Sequence, residues 1–137
     1  MHEQFDHTAD LGLRIRTADL NTLFADAGAA LTAALVENPA AVEPRRAVVI
    51  ELPRDDDLEY LLLDWLKALL YHFETERLIC SRFEVRIDEQ GLRGVAHGET
   101  FDASRHEPAH EVKAITYHDL RVEQTDAGWL AEVIVDI

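Results

Sequence analysis

A chain of 137 residues can fold as one domain that buries roughly two-thirds of its unfolded surface without staples. Twenty-seven Asp and Glu against thirteen Lys and Arg leave a net charge of −14. Such a surface repels a nucleic-acid backbone and argues against sequence-independent RNA or DNA binding; it attracts cations or a basic protein instead. Cys80 is the single cysteine and has no partner for an internal disulfide, so a reducing compartment is expected.

Leu11, Leu13 and Ile15 alternate with Gly12, Arg14 and Arg16, the period of a strand with one covered face, which puts Asp10 on the opposite face. A helix follows with Asp19 as N-cap and a stripe of Leu20, Leu23, Phe24, Ala27, Leu31, Ala34 and Leu35. ENPAAVEP ends it, and RRAVVIELP reads as a second strand closing at Pro53. The main core helix is expected in RDDDLEYLLLDWLKALLYHFETER, with Asp55, Asp56 and Asp57 at its positive end. Asp64 and Lys67 interrupt its apolar run, which is too short to span a bilayer. No basic n-region precedes an apolar stretch at the N-terminus, so the cytoplasm is the expected setting.

From Ile79 onward the period is two. CSRFEVRID and LRGVAHGETF form a hairpin about DEQG, with Gly94 and Gly98 marking bulges or tight curvature. The polar loop DASRHEPAH comes next, then EVKAITYH, DLRVEQ, the turn TDAG and WLAEVIVDI. That last strand is apolar on both faces, Trp129, Ala131, Val133 and Val135 against Leu130 and Ile134, and belongs in the middle of a sheet. Strand–helix–strand–helix followed by hairpins is an α+β pattern: two helices packed on a largely antiparallel sheet or sandwich, one domain over residues 1–137.

Three constellations carry possible chemistry. If the C-terminal strand lies beside the first, or its end meets the HTAD turn, then Asp10, Asp136 and the α-carboxylate of Ile137 converge. Carboxylates so placed repel unless protonated or neutralised by a cation. An all-oxygen set favours Ca²⁺ or Mg²⁺ over zinc, and Ca²⁺ tolerates irregular geometry better. Solvated strand-end acids are the alternative, and the pattern leaves both open. In the second, His106 and His110 have H-x₃-H spacing, but Pro108 between them opposes the helix that zinc ligation would need; a mobile surface loop is expected. In the third, Lys113 shares a strand face with Ile115 and Tyr117, and either meets an acid or a partner or snorkels at the surface. Nucleophilic catalysis finds no support: G-x-S-x-G and Gly-rich phosphate loops are absent from the sequence. His7 is the nearest base should the terminal acids serve a metal-dependent hydrolase.

The stretches FDHTADLGLRI, LLLDWLKALLYHFETERLICSRFEV, HEVKAITYHDLRVE and GWLAEVIVDI resemble the archease family, nearly end to end and in the same order. The resemblance implies an α+β sandwich with a distant likeness to the chaperone Hsp33. It implies a protein cofactor without catalysis of its own, which promotes guanylylation and repeated turnover of an RtcB-type RNA ligase in tRNA splicing and RNA repair. A chaperone-like holdase of RNA-processing proteins is the alternative. Carried onto this sequence, the acid-built metal site, regarded as calcium-binding, falls on Asp10, Asp136 and Ile137. The motif lysine falls on Lys113, and His7 of HTAD is assigned with it to partner activation.

Overall fold

The structure, a computed structural model, describes residues 1–7 and 10–137. It contains β1 (His2–His7), β2 (Asp10–Thr17), α1 (Leu20–Leu35), a 3₁₀ turn (Pro39–Ala41), β3 (Arg46–Pro53), α2 (Leu58–Glu76), β4 (Leu78–Asp88), β5 (Gly91–Thr100), β6 (Ala114–Thr125) and β7 (Gly128–Asp136). The strands form two antiparallel sheets, ordered β1-β2-β7-β6 and β3-β5-β4. Both helices touch strands of both sheets, so the helical layer fills the space between them. The expected α+β class holds, and β7 is central in its sheet, as two apolar faces require.

Cap chemistry sets the helix starts. The Asp19 side chain accepts from the backbone and hydroxyl of Thr22 at 2.9 and 3.0 Å, and Asp57 accepts from the amides of Glu59 and Tyr60, each satisfying donors that a helix start leaves open. Trp65 is fully buried and donates its indole N–H to the carbonyl of Phe24 at 2.9 Å, tying α2 to α1. Its ring lies where a Cβ on Gly94 would stand, 2.4 Å from Cζ3. Gly94 therefore admits a side chain of α2 instead of marking a bulge. The bulge in this sheet lies between Cys80 and Arg82, opposite Gly98.

Three expectations are corrected. The N-terminal segment is a separate strand: β1 forms a hairpin with β2, and its Phe5 ring covers Gly12. Sequence alternation does not reveal β1, because Phe5 is the only large apolar residue between His2 and His7. The Lys113 face also fails to extend as expected, since β6 begins at Ala114 and its register breaks after Thr116. Four residues, Tyr117 to Leu120, stand opposite Val133 alone, with Asp119 in the left-handed region at φ 56°.

The third correction concerns DASRHEPAH, which is pinned to the end of α1. Ala109 and His110 donate to the carbonyls of Leu35 and Ala34, partners the helix end otherwise lacks. Val36 and Pro108 form a β-bridge. His106 is fully buried; its Nδ1 accepts from the Asp102 amide, which leaves Nε2–H to donate to Glu99 at 3.1 Å. Glu99 is buried as well, held by two bonds from Arg105 (2.6 and 3.0 Å) and by the Glu43 amide. Both ring nitrogens of His106 are thus engaged, and the histidine is a core group, not a zinc ligand.

The Arg105 guanidinium, with the Glu43 amide and His106, holds the Glu99 carboxyl down at about 2 despite its burial. A carboxyl with a lowered folded-state value stabilises fully above its ordinary value of 4.5, and that contribution fades as pH falls from there through about 2. Chemical denaturation of the wild type should therefore show stability falling over this window, with a shallower fall in Glu99→Gln. At pH 7 the variant should lose about 1–3 kcal/mol, since a neutral amide cannot accept all the bonds that the buried Glu99 carboxylate takes from Arg105, the Glu43 amide and His106.

Candidate acidic corner

Strand pairing dictates the geometry at one end of the four-stranded sheet. Asp10 and Asp136 are directly opposed in the β2–β7 register, His7 opposes Asp10 across β1–β2, and Ala114 opposes Asp136 across β6–β7. His7, Asp10, Asp136 and Ala114 thus make one transverse row. Directly paired residues share a face, and that of Asp10 and Asp136 is the outer one, because Leu11, Leu13, Val133 and Val135 supply the core. Ile137 follows at the row's edge, half-buried like the two aspartates. The side chain of His7 and residues 8 and 9 of HTAD lie outside the described residues.

Opposed Cβ atoms stand about 4.5–5.5 Å apart. At about 5 Å, two negative charges repel by about 1 kcal/mol in water and about 3 at an effective dielectric of about 20. The β2–β7 register therefore places two like charges side by side on one face of the sheet. Among the described residues no group of three or more His, Cys, Asp or Glu side chains could hold a metal ion. The acidic side chains of the corner are Asp10 and Asp136, and Ile137 offers main-chain oxygen. This donor set fits a hard cation that takes its remaining ligands from water or a partner.

Lys113 lies just before β6 and is exposed. Its backbone N–H donates to the carbonyl of Asp136 at 2.7 Å, which fixes its Cα at the corner, and its side chain makes no ion pair among the described residues. The fixed backbone and unengaged ammonium suit contact with an anionic group of a partner.

Other candidates close on inspection. Burial pushes the Cys80 thiol up to about 12, so it is not a nucleophile at neutral pH. A surface cleft of about 640 Å³ carries Arg45, Arg46 and Arg105. Their guanidiniums are occupied by Glu43, Glu76 and Glu99 respectively, which leaves little charge for an anion.

The chain matches the Archease protein family (MTH1598/TM1083) over residues 2–137. It belongs to the archease family. The protein archease of Pyrococcus furiosus is 40% identical over 140 residues, covering 98% of this chain and 97% of its own. That of Methanopyrus kandleri is 40% identical over 139 residues, covering 98% of each. The solution structure of Methanobacterium thermoautotrophicum protein 1598 superposes with a TM-score of 0.85 at 35% identity, covering 99% of this chain and 98% of the other. The fold read here is thus the fold of the family.

One consequence of the opposed aspartates is measurable without any partner. In chelator-treated, low-salt buffer, Asp136→Asn should raise the unfolding free energy by about 0.2–1 kcal/mol, since it deletes one of two like charges set directly opposite. Denaturant midpoints should show the gain shrinking toward zero at about 1 M salt.

Proposed function

We propose that this chain is a protein cofactor of an RtcB-type RNA-splicing ligase. In this reading it promotes guanylylation of the ligase's active-site histidine, and so permits repeated turnover in tRNA splicing and RNA repair. It performs no catalysis of its own and does not itself bind nucleic acid. Membership in the archease family supports the reading, and one observation carries the mechanism: Asp10 and Asp136 are direct cross-strand partners beside Ile137.

Asp10, Asp136 and the oxygens of Ile137 would hold a divalent cation, Ca²⁺ by the hardness and irregularity of the donor set. The cation would supply positive charge to oxygens of the partner's nucleotide-binding centre. The rest falls to the chain's own groups. The β2–β7 register keeps both carboxylates at the sheet's end, on its outer face. The Lys113 side chain projects from a backbone locked to Asp136 and is available to an anionic group of the ligase; His7 is assigned with it to partner contact. The charge of −14 favours approach to a basic, RNA-binding protein. No helix among the described residues is long and apolar enough to cross a membrane, and the cytoplasm is the proposed site of action.

The test is ligation by the purified ligase with RNA in excess. Wild-type chain should sustain many turnovers per ligase, whereas Asp10→Ala and Asp136→Ala should reduce ligation to about one turnover and lose calorimetric Ca²⁺ binding, with unchanged far-UV spectra. Repeated turnover supported by both variants would overturn the site. Slowed aggregation of client proteins at unchanged turnover number would favour the holdase instead.

A further inference from the structure

The outer stripe of α2 carries Tyr60, Asp64, Lys67 and Tyr71, all exposed and spaced as one helical face. At its N-terminal end the Tyr60 ring stacks on Tyr117 from β6, with centroids 4.7 Å apart and planes 19° from parallel. Both rings remain in water, at 46% and 48% exposure. Tyr117 is the first residue of the β6 irregularity, the four residues that stand opposite Val133, and irregularities of this kind are over-represented next to functional sites.

The surroundings are acidic. Asp57 caps α2, Glu59 lies on its first turn and Asp64 one turn beyond Tyr60. Packing desolvates the Tyr117 phenol and raises it, and the nearby Asp57 carboxylate, the stacked Tyr60 and the Glu59 carboxylate add to the rise. A pair of rings already stacked loses little freedom on binding. Its π-faces and flanking carboxylates suit a flat cation that stacks and donates hydrogen bonds in the same plane.

We propose that the Tyr60–Tyr117 stack, with Asp57, Glu59 and Asp64, is a docking surface for an arginine side chain presented by a protein partner. The local acids disfavour RNA, whose backbone they repel, and a second copy of this chain would meet the same charge. Tyr117 follows Ala114 of the acidic row by three residues, about 10 Å along a strand, so one partner can cover both regions. The proposal rests on the reading of the chain as a protein cofactor and deepens it by naming a contact separate from Asp10 and Asp136.

Calorimetric titration of the RtcB-type ligase with Ca²⁺-saturated chain tests it. Tyr60→Ala and Tyr117→Ala should each weaken Kd tenfold or more, Tyr117→Phe by less than threefold, and Asp64→Lys should slow association. Ca²⁺ affinity and thermal midpoint, measured on each variant, should match the wild type for Tyr117→Phe and Asp64→Lys. If wild type binds the ligase and the alanine variants bind within twofold of it, the docking surface is wrong while the cofactor reading stands. If wild type does not bind the ligase, the cofactor reading fails, and an arginine hexapeptide then decides the surface. It should shift the ring resonances of Tyr60 and Tyr117 more than a lysine hexapeptide does, and equal shifts would overturn the proposal. Protection of these rings by single-stranded RNA, or concentration-dependent dimerisation lost in Tyr117→Ala, would overturn it as well.

Discussion

Pairing of β7 on both of its edges is the constraint from which the rest follows. Ala131, Val133 and Val135 on one face join the main core, while Leu130 and Ile134 on the other are buried outside it, so the strand can sit only where both sides are covered. With β2 along one edge and β6 along the other, a single register fixes the acidic row, the backbone of Lys113 and the place where β6 must accommodate extra residues. Slipping that register by one residue would turn the valines to solvent and separate Asp10 from Asp136. The hydrophobic pattern thus sets two like charges opposite one another.

The outer face of the same sheet shows how a charged surface is kept from disorder. Arg14 lies over the Phe5 ring at 4.5 Å and reaches Glu3 and Glu132. Arg121 meets Glu132 from the far side. These exposed pairs contribute little each. Beyond them, toward the row of Asp10 and Asp136, the outer face turns acidic.

Much of this was legible from residue order because the signals were local or periodic. Asp19 and Asp57 announced the helices by side-chain chemistry, DEQG and TDAG marked two-residue turns, and the doubly apolar WLAEVIVDI could only be central. Residue order leaves open whether Asp10 and Asp136 meet, and the β2–β7 register pairs them. What stayed hidden depended on contacts distant in sequence. His106 looks like a loop histidine until Glu99 and the end of α1 are folded around it. The strand from His2 to His7 has almost no apolar alternation and owes its existence to the edge of β2. Tyr117 reads only as sharing a strand face with Lys113 and Ile115, because nothing apolar or periodic in EVKAITYHDLRVE signals the insertion; Asp119 takes its left-handed backbone, a region Asp tolerates better than most residues.

The central placement of β7 also bears on how the molecule assembles. Its pairs with β2 join residues separated by 112 positions at Thr17–Trp129 and by 126 at Asp10–Asp136, among the longest loop closures a chain of this length permits. Until β7 emerges from the ribosome, the β1–β2 ribbon and β6 have no strand to share, and a two-stranded ribbon alone is marginal in water. The helices and the β3-β5-β4 sheet can collapse early from nearer contacts, whereas the four-stranded sheet must wait. High contact order of this kind slows folding, and the half of the molecule that carries the acidic row should be the last to set.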